Sequence, residues 1–141
     1  MGMWISAKIG FGFAIPNTSE DDDFDFKDAW RILGLPNIVK YGDTDFAVSE
    51  DKTDSYEFEK ALQTKFPGLT VESSNVYDYR EGYAILIKST LFHTTDGLSM
   101  LPHDTDTPNM SESVQLAEAS IAFGIEATFK NYGEVLVVSY R

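Results

Sequence analysis

The chain has 141 residues, 43% of them hydrophobic and 13% aromatic, with no cysteine and a net charge of −12 from 11 basic and 23 acidic side chains. At this length a domain buries roughly 70% of its unfolded surface, so one core forms without staples. Missing thiols exclude disulfides, Cys-ligated zinc, iron–sulfur clusters and thiol nucleophiles, and the negative charge argues against direct binding to nucleic acid or to an anionic membrane.

No apolar run approaches the ~20 residues of a membrane span, and Met1–Ser6 lacks the basic and small-residue features of a signal peptide. The start does fit the Met-Gly-x-x-x-Ser acylation pattern, but Met3 as the natural start, with Met1-Gly2 as a cloning remnant, is the simpler reading. A cytoplasmic setting is expected, in a cell or an infected host.

Met3, Ile5, Ala7, Ile9, Phe11, Phe13 and Ile15 fill alternate positions, which predicts a half-buried strand ended by Pro16. Gly10 and Gly12 on its other face signal a bulge or the close approach of a neighbour. An acidic loop follows, and Phe26, Ala29, Trp30 and Leu33 then predict a helix that stops at Gly34 and Pro36. Residues 38–48 read as a hairpin turning at Gly42-Asp43. Asp54 with Glu57 three places on opens a second helix, whose apolar stripe ends at Phe66 before Pro67-Gly68.

Leu69–Glu72 and Val76–Tyr79 read as one interrupted strand, and Tyr83–Phe92 as the next. Tyr83-Ala84-Ile85-Leu86-Ile87 is apolar on both sides, as in a strand covered on both faces. After a polar stretch from His93 to Asn109, the spacing of Val114, Ala117, Ile121, Ile125 and Phe129 predicts a third helix opened by Ser111, with Gly124 against it. Val135–Tyr140 is the last strand. The order β-α-β-β-α-β-β-α-β, without regular βαβ units, predicts an α+β fold. It comprises a mainly antiparallel sheet of about five to seven strands packed with three helices, in one domain over residues 1–141.

Acidic residues cluster twice. Glu20, Asp21, Asp22, Asp23, Asp25 and Asp28 place six carboxylates within nine residues, and Glu50, Asp51, Asp54, Glu57 and Glu59 form the second group. Both border helix starts, where the helix dipole favours carboxylates. The functional reading of the first group is a binding face made of Glu20, Asp21, Asp22, Asp23, Phe24, Asp25 and Phe26, in which aromatics flanked by charge anchor a partner. The alternative makes Phe24 and Phe26 the staple and first core residue of the following helix.

A calcium loop of the EF-hand type needs Gly at its sixth and Glu at its twelfth position. From Asp21 those places hold Phe26 and Ile32, and from Asp104 they hold Asn109 and Gln115, so both fail. The two histidines begin His93-Thr94-Thr95 and His103-Asp104-Thr105. Two-histidine phosphoesterases carry such triplets on separate strands in distant halves of the chain, whereas here they share one stretch and the architecture is absent. His93, Asp96, His103 and Asp106 form a candidate metal set, since imidazole and carboxylate suit zinc or manganese, and His93 and His103 are the corresponding catalytic candidates. Dinucleotide, P-loop and nucleophile-elbow signatures are absent. Tyr77, Tyr79 and Tyr83 suit base stacking but lack a basic groove, and cross-strand packing is their simpler role.

These features point to a small acidic protein-binding module without a cofactor. Its expected partner is a protein with a basic surface, such as one that handles nucleic acid, which it inhibits or modulates; phage-encoded inhibitors offer an analogy. Two alternatives stay open: a small hydrolase or ligand- or metal-binding protein using residues His93–Asp106, and a structural homo-oligomer joined through a strand edge.

Overall fold

A computed structural model of the chain describes residues 5–16, 24–48, 54–76, 79–95, 109–126 and 131–140. Among the described residues it has three helices and seven strands, five in a mainly antiparallel, curled sheet and two in a separate hairpin, the expected α+β class. In chain order these are β1 (Ile5–Ala14), α1 (Phe26–Leu33), β2 (Ile38–Tyr41), β3 (Thr44–Ala47), α2 (Ser55–Lys65), β4 (Leu69–Val76), β5 (Tyr79–Ile87), β6 (Phe92–Thr95), α3 (Met110–Ala122) and β7 (Gly133–Tyr140).

The helix ends follow the local chemistry. The Asp25 carboxylate accepts from the backbone N–H groups of Lys27 (2.9 Å) and Asp28 (3.2 Å), capping α1. Asp54 and Glu57 form the reciprocal box that opens α2, and Asn109 caps α3 through the Glu112 N–H at 2.8 Å. The Lys65 ammonium donates to the Leu33 carbonyl at 2.6 Å, tying the end of α2 to the end of α1.

The main sheet runs β5-β4-β7-β1-β6, and β5 also pairs with β1. Along β1 the partner therefore changes: Gly12, Phe13 and Ala14 face Leu86, Ile85 and Ala84 of β5, whereas Ser6–Ile9 face β6. A 3-10 turn at Lys88–Thr90 separates those two strands, so the single strand expected over Tyr83–Phe92 is interrupted. Thr90 stabilises the break. Its hydroxyl donates to the Ile87 carbonyl at 2.7 Å and accepts from the Phe11 N–H at 2.9 Å. Upstream, β4 runs unbroken through Ser73–Asn75 with a register shift before Val76, and Tyr79 belongs to β5.

Alternation sorts the β-sheet side chains onto two faces. One carries Phe13, Leu69, Val71, Tyr83, Ile85 and Ile87, which join Trp30, Leu33, Phe58, Ala61, Leu62, Leu116 and Ala119 of the helices in the main core. The other carries Ala84, Leu86 and Val137 in a smaller cluster with Leu91 and Val135. Gly10 and Gly12 lie on that second face, which is packed here rather than outward. A Cβ on Gly12 would sit 1.9 Å from the Ile85 carbonyl oxygen, so only glycine lets β1 and β5 meet. Gly10 is crowded mainly by the side-chain end of Leu86, at 3.0 Å.

The third helix ends at Ala122 instead of reaching Phe129. Gly124 takes φ 72°, which ends the helical run, and the Ile125 N–H turns back to the Ser120 carbonyl at 2.9 Å. Ser120 is buried and shares a hydrogen bond with the Tyr132 hydroxyl, linking this helix end to the approach of β7.

Gly12→Ala is expected to cost about 3 kcal/mol or more in urea unfolding, because the obstacle is backbone, whereas Gly10→Ala costs about 1 kcal/mol, because a leucine methyl can move. Equal costs at the two positions would contradict this account of strand closure.

Candidate functional site

The residues nominated from the sequence separate into two groups. Phe24 and Phe26 are half-buried and face inward: Phe24 meets Tyr83 in a tilted contact at 4.4 Å between ring centroids and Phe26 edge-on at 4.8 Å, and Phe26 meets Phe58 at 5.5 Å. Asp25 is the cap of α1, and Phe24 and Phe26 pack against the core. Glu20, Asp21, Asp22 and Asp23 lie outside the described residues, as do Asp96, His103 and Asp106. His93 is exposed on β6, with its backbone opposite Lys8. Among the described residues no three His, Asp or Glu side chains converge to hold a metal ion, and no helix is long and apolar enough to cross a membrane.

A different surface brings aromatic and acidic groups together. The sequence Ile38–Ala47 makes a tight hairpin because Gly42 takes φ 64°, which the two-residue turn between β2 and β3 requires. Val39 is completely buried and anchors the hairpin. Period-two alternation then puts Tyr41 on the face of Val39, and Phe46, directly opposite Val39, shares it. The result is a chain of ring contacts: Tyr41 meets Phe46 edge-on at 4.9 Å and stacks with Tyr56, in the first turn of α2, at 5.7 Å. Phe46 stays 47% exposed and Tyr56 53% exposed, so these rings present apolar area to solvent.

The two segments that carry the rings also carry carboxylates. Asp43 and Asp45 come from the hairpin, and Asp54, Glu57 and Glu59 from the start of α2. Only Lys40 and Lys60 offset them over these two segments. Partial burial, then Glu57, Tyr56 and Asp54, hold the Tyr41 hydroxyl above its ordinary titration range. The surface thus disfavours added negative charge. The Lys60 ammonium lies 5.6 Å from the centroid of the Tyr56 ring, so that ring already accepts a cation on its face.

Tyr56 also lines an open cleft of about 190 Å³ between α2 and the sheet, with Ser55, Glu59, Val71, Glu72, Ser73 and Tyr83. Glu72 forms an ion pair with Lys8 at 2.8 Å and accepts from the Thr70 hydroxyl at 3.4 Å. Glu59 accepts from the Gln63 amide at 3.2 Å. Burial first, and then the Glu72 carboxylate, raise Glu59 above the usual carboxylate range, against the pull of Lys60, Lys8 and Lys88. Two carboxylates thus line the cleft, one of them paired with Lys8. No histidine accompanies them there, and Lys8 is engaged by Glu72.

Sequence reading placed Asp54, Glu57 and Glu59 in its second acidic group but passed over Phe46, Tyr56, Glu72 and Lys8. The signal available was the alternation Val39-Lys40-Tyr41 and Asp45-Phe46-Ala47 about a two-residue turn, which puts Tyr41 and Phe46 on one face. Comparison with protein-family models, curated proteins and solved structures finds no match to this chain.

A carboxyl with a raised folded-state pKa binds its proton more tightly folded than unfolded. Its stabilising contribution is present below the unfolded pKa and is lost as pH rises through the folded one. Glu59→Gln keeps an acceptor for Gln63 and stays neutral, so it is expected to gain thermal stability over the parent near neutral pH and to lose that gain in acid. An unchanged difference in Tm at both pH values would contradict the raised Glu59.

Proposed function

We propose that this chain is an acidic protein-binding module that engages the basic surface of a partner protein, in the manner of a modulator or inhibitor of a protein that handles nucleic acid. The observation that carries this reading is the ring group of Tyr41, Phe46 and Tyr56, the last two exposed, on segments that also carry Asp54 and Glu57 beside Tyr41, Asp43 in the turn and Asp45 on the other face of the hairpin. Aromatic rings supply rigid contact area and accept cations on their faces, while carboxylates orient and select them. Lysine and arginine side chains satisfy both, since their stems pack on rings while their heads reach carboxylates. A net charge of −12 adds long-range attraction for a basic partner and repels nucleic acid, the competitor such a partner ordinarily holds.

The reading is tested by titrating the isotopically labelled full chain with oligolysine and oligoarginine peptides at low and high salt, following backbone amide shifts. Shifts are expected to concentrate on residues 38–47 and 54–60 and to fade at high salt. The double variant Asp43→Lys/Asp45→Lys weakens binding about tenfold, in line with two exposed charge pairs reversed. Tyr56→Ala lowers affinity without changing the salt dependence. Shifts that avoid the hairpin, or affinity untouched by the reversals, would overturn the assignment.

A further inference from the structure

We infer that the partner binds as an extended segment that adds a third strand to the open edge of β3, with basic and apolar residues alternating along it. This rests on the protein-binding reading above and specifies how the same surface works. Among the described residues β3 pairs with β2 alone, and Thr44, Asp45, Phe46 and Ala47 are all exposed.

The backbone register identifies which groups are unpaired. Val48 donates its N–H to the Asn37 carbonyl at 2.7 Å. In an antiparallel pair the bonded positions recur every second residue, so Phe46 with Val39 and Thr44 with Tyr41 are the bonded pairs that follow. The N–H and C=O groups of Asp45 and Ala47 therefore point away from β2, and they have no partner among the described residues. Natural edge strands are commonly blocked by lysine, proline or a bulge. The run Thr44–Ala47 carries none of these, its pairing to β2 is regular, and its one charge is Asp45. Such an edge is a template for strand addition, in which main-chain bonds supply affinity and alternate side chains supply selectivity.

The two faces of the hairpin set the partner's pattern. Phe46 lies on the face of Val39 and Tyr41, so a residue added beside it meets apolar rings. Asp45 and Ala47 lie on the opposite face, where a residue beside Asp45 meets a carboxylate, with Asp43 near in the turn. An added strand with lysine or arginine on one face and valine, isoleucine or an aromatic on the other satisfies both. A second copy of this chain does not, because edge-to-edge pairing would set the hairpin carboxylates against their own copies, on molecules that each carry −12.

The test uses the full chain and a ten-residue peptide alternating lysine and valine, with two derivatives N-methylated on one or the other set of alternate residues. The parent peptide is expected to shift the amides of residues 44–47. Methylation of the set whose N–H groups face β3 weakens binding at least tenfold, and methylation of the other set leaves it unchanged. Ala47→Pro removes one outward N–H without touching the bonds of β3 to β2, and it weakens the parent peptide to a similar degree. The derivatives keep the test valid even where that variant disturbs the hairpin.

Binding at the hairpin that is indifferent to both methylations overturns strand addition and leaves the acidic binding surface in place. Absence of any shift at residues 38–47 and 54–60 overturns both. Concentration-dependent self-association that is abolished by Ala47→Pro would assign the edge to a second copy and overturn the inference.

Discussion

The approach of β1 to β5 at Gly12 governs the rest of the molecule. With the Ile85 carbonyl oxygen 1.9 Å from where a Cβ would stand, any other residue forces the two strands apart. That contact lets β5 pair with β4 on one side and β1 on the other, which curls the sheet and divides its side chains into two packed faces. Closure also forces β1 to change partner. Where β5 leaves, the chain makes the turn at Lys88–Thr90, and Thr90 fills the break by bonding the Phe11 N–H before β6 resumes the pairing.

On the helix-covered face the curled sheet presents Tyr83 to a compact aromatic group. Phe58 of α2 meets Phe24, Phe26 and Trp30 there, while the Asp25 carboxylate caps α1. The charge that precedes α1 therefore has a local structural consequence at Asp25, and the rings among the acids are spent on the core. The same packing fixes α2, and with α2 the position of Tyr56 beside the hairpin. Val39, fully buried, is the complementary anchor from β2. The ring group of Tyr41, Phe46 and Tyr56 is thus carried by elements that are themselves secured from below, which favours rigid presentation over adaptation.

Charge and backbone act together at this surface. Carboxylates from the turn and from the start of α2 make the potential here more negative, and among the described residues the outer edge of β3 is unpaired. Neither property alone selects a partner well, since exposed ion pairs contribute little individually and open edges accept many strands. In the proposed reading, their juxtaposition is what selects an extended, basic segment.

Much of the architecture was legible from local patterns. Odd-position hydrophobics announce β1, Gly42-Asp43 announces the hairpin, and Asp54 with Glu57 announces α2, because alternation, turn conformation and capping are decided within a few residues. Composition determined the absence of thiol chemistry and the strong negative charge. Other features depended on contacts distant in sequence. Periodicity carried α3 on to Phe129, but Gly124 and the turn back to Ser120 end it at Ala122. The polar residues Lys88-Ser89-Thr90 break the apolar run, but their departure from the sheet answers to β1, some eighty residues earlier. Aromatics amid acids looked alike at Phe24 and at Phe46; burial against Tyr83 and Phe58 makes the first core, and exposure on an unpaired edge leaves the second available. The sequence by itself thus determined the elements and the charge. Only the tertiary structure decided which rings and which strand edge face solvent, because those depend on packing between segments that the local pattern does not connect.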